Sequence, residues 1–138
     1  MDYDFHKGDW VLSCAMPYPQ FVKIKEEQTD VEIVADIQDF ANDRITTAII
    51  DWEELEPIPI EPDVLEAFGF KKDVALNDFD FWCILLGEVE VAAIPSPKGW
   101  YVRISGKNYM SVQVCNIHDI QHAMRVARIT KELEYKEI

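Results

Sequence analysis

The chain has 138 residues, 49% of them hydrophobic, with 13 Lys and Arg against 26 Asp and Glu for a formal net charge of −13. That length suits one domain or two joined subdomains, and that apolar content excludes a disordered chain. It holds no 18-residue apolar run, and its start, Met1-Asp2-Tyr3-Asp4-Phe5-His6-Lys7, lacks the basic and apolar regions of a signal peptide, so a cytoplasmic protein with no membrane contact is expected.

The first strand is expected in Gly8-Asp9-Trp10-Val11-Leu12, broken by Met16-Pro17-Tyr18-Pro19. Phe21 to Lys25 alternates Val22 and Ile24 with lysines, which predicts a strand with one wet and one dry face. Glu26 to Asp30 reads as a hairpin loop, and Val31, Ile33 and Ala35 continue the alternation on the return strand. After a polar loop at Asp39 to Arg44, Ile45 to Trp52 supplies another strand. Short strands in this number, closed by prolines, predict a small antiparallel, SH3-like barrel.

Pro57, Pro59 and Pro62 make residues Glu56 to Glu61 a stiff, non-helical connector. A short helix can start at Pro62, whose missing N–H costs nothing in the first turn, with Val64, Leu65 and Phe68 on one face. Gly69 is the natural left-handed stop, and Phe70 can fold back onto the helix. Lys71 to Asn77 reads as a loop. Phe79 to Leu86 is nearly all apolar and is expected as a central strand covered on both faces. Glu88 to Val91, then Trp100 to Ser105, then Met110 to Val114 each alternate, and turns at Pro95 to Gly99 and Gly106 to Asn108 join them into an antiparallel meander.

Asn116 is a good N-cap with Asp119 three residues on, and the helix after it is expected to run from Ile117 to Leu133, with Ile117, Ile120, Met124 and Ala127 on the stripe that covers the meander. The expected fold class is therefore α+β. It comprises an N-terminal β subdomain over 1–60, then the Pro-initiated helix, β-meander and C-terminal helix over 61–138, packed as one compact unit.

Two stretches carry a resemblance. Pro57-Ile58-Pro59-Ile60 followed by a short helix and Phe68-Gly69-Phe70, together with Ile117-His118-Asp119-Ile120-Gln121-His122-Ala123, resembles motifs of a group of uncharacterised small proteins from Bacteroidales and their phages and mobile elements. Members of that group lead the short helix with Thr or Ser, where this chain has Glu61-Pro62. The resemblance implies a mobile-element origin and transfers no catalytic activity.

Cys115, His118 and His122 are the candidate metal ligands, because the two histidines four apart share a helical face. They lack the Glu of a zincin helix, and His6 or Cys14 would have to complete the set, so no metal or other cofactor is expected. Cys14, Cys83 and Cys115 are odd in number, widely spaced and flanked by apolar residues, which predicts reduced thiols in the core. No nucleophile elbow, phosphate loop or other catalytic motif is present, and a non-catalytic protein is expected.

The charge is unevenly distributed. Residues 26 to 66 hold fourteen carboxylates and one base, Arg44, whereas residues 98 to 136 carry a net +4. Asp51, Glu53, Glu54 and Glu56 are the densest part of the acidic stretch and the expected interaction surface. Acids spread over a β surface repel nucleic acid and can occupy a basic cleft on a protein, which predicts an accessory or inhibitory factor with a basic protein partner and no direct nucleic-acid binding. Two other readings stay open: a small-ligand binder or enzyme with a pocket between the halves, lined by Phe68, Phe70 and Trp82 near Cys115 or His118, and a structural component of a phage particle.

Overall fold

The computed structural model describes residues 4–14, 19–27, 30–39, 42–74, 79–106 and 109–136. The chain divides into two compact units, 1–58 and 59–138. Each is built on a five-stranded antiparallel sheet, and two α-helices complete an α+β chain. The expected break at 16–18 and loop or hairpin residues 28–29, 40–41, 75–77 and 107–108 lie outside the described residues.

In the first unit, β1 (Trp10–Ser13), β2 (Gln20–Glu27), β3 (Glu32–Asp39) and β4 (Arg44–Asp51) form a meander, and a 3₁₀ turn (Trp52–Glu54) leads to β5 (Leu55–Glu56). The order across the sheet is β4-β3-β2-β1-β5. Period-two patterning sets which side is dry. Val22 and Ile24, then Ile33, Ala35 and Ile37, then Ile50 share one core with Phe5, Val11 and Leu55. The register places Ile24 against Ala35 and Ile33 against Ile50, so apolar side chains meet across the strands. A bulge at Lys25 ends this alternation, and Lys25, Glu26 and Glu27 all turn to solvent. Ahead of β1, the buried Asp9 carboxylate accepts the His6 N–H at 2.8 Å, which fixes the turn through Gly8.

The expected barrel is not closed, because β4 and β5 are the two edges of the sheet. The reason lies at β5. It has two residues, pairs only with β1, and is followed by Pro57, which has no N–H to extend a ladder.

The second unit contains α1 (Pro62–Ala67), β6 (Lys71–Val74), β7 (Asp80–Leu86), β8 (Val89–Ser96), β9 (Gly99–Ser105), β10 (Tyr109–Val114) and α2 (Ile117–Val126). Its sheet order is β10-β9-β8-β7-β6, the meander that the alternating runs predict. The connector is extended as the prolines require, and it is held to the strand end before α2 by an Ile60 N–H to Cys115 carbonyl bond of 3.2 Å. α1 packs on β6 and β7, and α2 on β9 and β10.

α1 stops as its sequence dictates. Gly69 adopts φ +92°, its N–H bonds the Glu66 carbonyl, and the Phe70 N–H bonds that of Leu65 at 3.0 Å. This is a Schellman closure, and it buries Phe68 and Phe70 together with Leu65.

Three expectations for this unit are corrected. Residues 71–74 form an edge strand rather than a loop. With Lys71, Lys72 and Asp73 they show no apolar alternation, and such charged residues are what an edge tolerates. β7 is not the central strand and is not covered on both faces. β8 occupies the centre, where Val91, Ala92 and Ala93 are all buried, while Leu85 of β7 is 70% exposed.

α2 ends at Val126, not Leu133. Arg128 takes φ +61°, its N–H bonds the Arg125 carbonyl, and the Ile129 N–H bonds that of Met124, a second Schellman closure built without glycine. The chain then runs back to α1. Leu133 is buried, Tyr135 stands edge-on to Phe68 at 5.5 Å, and the Lys136 N–H donates to the Ala67 carbonyl at 2.6 Å.

Candidate functional site

The acidic run follows directly from how the first sheet ends. Asp51 is the last residue of β4, Glu53 and Glu54 lie in the 3₁₀ turn, and Glu56 is on the two-residue strand β5. All four are exposed, and among the described residues none of the four is in an ion pair. Asp51 also lies opposite Glu32 across β3 and β4, a like-charge pairing that a sheet ordinarily avoids.

The end of β1 joins this neighbourhood. The Cys14 N–H donates to the Glu54 carbonyl at 2.8 Å. Local desolvation, then the carboxylates of Glu56 and Glu54, push the Cys14 thiol above its ordinary value. Cys14 is nevertheless exposed, as is Cys115, and Cys83 is half-buried, so the cysteines are not the core thiols that their apolar flanks suggest. Cys14 and Cys115 each lie one residue beyond a strand end, where alternation no longer sets the side, and the residues adjacent to Cys83 in β7 point to the face opposite its own. Cys83 is raised too, by desolvation first and then by Glu90 and Asp73.

Cys115, His118 and His122 are placed by the start of α2. His118 is buried, Cys115 is exposed, and the two imidazoles stand edge to face with centroids 5.4 Å apart. Asp119, the nearest carboxylate, is used as a cap and accepts the N–H groups of Cys115 and Asn116 at 3.1 and 3.0 Å. Among the described residues no three of His, Cys, Asp and Glu are gathered as a metal site would need. His6 instead meets Asp4, with Nε2 to Oδ1 at 2.6 Å.

The second unit has an open groove of about 870 Å³ where α2 ends over the meander, with Val89, Ile104, Met110 and Val126 as its apolar lining and Glu88 and Arg128 as its charges. A smaller cavity of about 60 Å³ lies between α2 and the returning tail. Neither is lined by Phe68, Phe70, Trp82, Cys115 or His118. Phe68 and Phe70 are buried at the closure that follows α1, and Trp82 packs edge-on to Trp100 at 5.7 Å.

One surface escapes the pattern reading altogether. β4 exposes Ile45 and Ile49, at 63% and 59%, on the side of the sheet away from the core. Adjacent isoleucines at 49 and 50 hold the signal, since neighbouring strand residues face opposite ways and only one can enter a core on one side.

No family model matches the chain, and no curated protein or solved structure matches it, so function is read from the geometry of the chain itself. Among the described residues no helix is long and apolar enough to cross a membrane.

Proposed function

We propose that the protein is a non-catalytic interaction factor whose first unit docks on a basic surface of a partner protein through Asp51, Glu53, Glu54 and Glu56. One observation carries this reading: the four carboxylates are exposed along one continuous turn and strand end, and among the described residues no lysine or arginine neutralises them. The surrounding unit reinforces it, with fourteen carboxylates against four bases over residues 1–58, a net charge of −10. Such a surface attracts a basic cleft, repels the phosphates of nucleic acid, and loses its hold as salt screens it.

We read the first sheet as an SH3-like frame left open at one side, a shape that serves interaction without dictating a partner. The resemblance to small proteins of Bacteroidales phages and mobile elements makes a host nuclease or defence factor the natural class of partner, with inhibition as the outcome. Three free thiols fit the reducing cytoplasm, where such a partner would be met.

The test is capture from host lysate on the immobilised full chain. A basic protein should be retained in low salt, released in high salt, and missed by a Glu53→Lys, Glu54→Lys, Glu56→Lys variant. Retention that ignores both salt and the variant, or no retention at all, overturns the reading.

A further inference from the structure

We infer that β4 is the docking edge for an extended segment of the partner, which adds to the first sheet as a sixth, antiparallel strand and alternates apolar with basic side chains. The inference rests on the proposed acidic docking for the sign of the partner's charge, and on the sheet geometry for everything else.

The backbone decides first. The Trp52 N–H donates to the Val31 carbonyl at 2.9 Å, in register with the β3–β4 pairs. Hydrogen-bonded and non-hydrogen-bonded pairs alternate along an antiparallel ladder, so the bonded pairs are Ile33 with Ile50, Ala35 with Ala48 and Ile37 with Thr46. The N–H and C=O groups of Ile45, Thr47, Ile49 and Asp51 therefore point away from β3, along the edge.

The side chains decide next. Ile45, Thr47 and Ile49 lie on the outer face of the sheet, and Val34 stands directly across from Ile49. Asp36 and Glu32 stand across from Thr47 and Asp51 on the same face. An incoming strand thus meets two exposed isoleucines with carboxylates beside and beyond them. Apolar residues with interleaved lysines or arginines satisfy both.

The other edges are defended. β6 carries Lys71 and Lys72 in four residues, and β5 has two residues before Pro57. β10 is shorter than β4 and belongs to the stretch with net positive charge, which disfavours a basic segment. β4 has eight residues, no lysine, no proline and no bulge against β3. A second copy of this chain would bring the same acidic sheet onto itself, so the charge selects a different protein.

A short synthetic peptide alternating valine with lysine serves as the probe, titrated into the isotopically labelled full chain. The amides of Ile45, Thr47, Ile49 and Asp51 should exchange at least about tenfold more slowly when it is bound. The same peptide N-methylated at alternate amides keeps its charge, loses its pairing edge, and should bind at least about tenfold more weakly. Thr47→Pro, which removes one outward N–H and no ladder bond, should weaken binding to a similar degree, and Thr47→Ala should not.

Equal binding of the N-methylated peptide, or unprotected edge amides, overturns strand addition and leaves the acidic docking intact. The N-methylated arm leaves the protein unaltered, so it decides even where Thr47→Pro disturbs the fold. Protected edge amides with unchanged affinity in the Glu53→Lys, Glu54→Lys, Glu56→Lys variant would uphold the edge and defeat the acidic reading. Self-association of the wild type that Thr47→Pro abolishes would show that a second copy takes the edge, and would overturn the assigned partner.

Discussion

The two sheets have the same number of strands and the same antiparallel connectivity for four of them, yet they bury their apolar faces by different means. The first gathers residues from all five of its strands, with Phe5, into one cluster without an α-helix among its described residues. The second lays α1 over β6 and β7 and α2 over β9 and β10. The two also differ in charge, the first unit carrying −10 where the second carries −3. The proposed docking surface lies in the unit with the larger charge excess. Packing chemistry dominates the other.

The strongest way to break this comparison is to damage each core alone. Ile33 and Ile120 are both fully buried, and truncating either to alanine should cost about 2–4 kcal/mol. The four indole N–H resonances separate the responses, since Trp10 and Trp52 belong to the first unit and Trp82 and Trp100 to the second. Ile33→Ala should lower the denaturation midpoint of the first pair only, and Ile120→Ala that of the second. Midpoints that move together in both variants would mean that the units share one cooperative transition.

A smaller effect sharpens the contrast between the two helix ends of the second unit. Both close on a left-handed residue, but one is Gly69 and the other Arg128. Gly69→Ala should destabilise by about 1 kcal/mol or more, because a side chain resists positive φ and the added Cβ would sit 3.3 Å from Ile84 Cδ1. Arg128→Gly should stabilise by about 0.5–1 kcal/mol for the converse reason. Urea titrations followed at Trp82 and Trp100 read both, and a destabilised Arg128→Gly would show that its side chain contributes more than its backbone costs.

The smallest expected effect concerns the thiols. A raised pKa means less thiolate at a given pH, so Cys14 should be alkylated more slowly than a free small-molecule thiol at mildly alkaline pH. Glu54→Gln with Glu56→Gln should speed the reaction by lifting the repulsion that the thiolate feels, leaving the slowing from desolvation in place. An unchanged rate would place these carboxylates too far from the sulfur to matter. Cys83, likewise raised first by desolvation and then by Glu90 and Asp73, should respond to Glu90→Gln in the same direction, with Asp73 still opposing its thiolate.

Much of the fold was legible because period and punctuation agree. The connector, the Pro62 start, the Gly69 stop with Phe70 behind it, the Asn116 cap and the alternating strands of both meanders all have local physical causes. What escaped has a non-local cause. Nothing in Arg128 announces a left-handed backbone, since that conformation ordinarily falls to Gly or Asn. The rank of β7 within its sheet depends on β6, whose lysines hide it from a hydrophobic pattern. Closure of the first sheet turns on the length of β5, which composition does not set. At the candidate site the acidic run was visible as sequence, but its proximity to Cys14 and the bare edge of β4 required the pairing register.

The stretch from Leu133 to Lys136 closes the second unit by returning to α1 some seventy positions upstream, through Leu133, the Tyr135 ring and the Lys136 to Ala67 bond. Those residues are synthesised only after the whole meander. The meander must therefore wait, with α1 only partly secured, and the last stage of its folding falls after synthesis of those residues rather than alongside it.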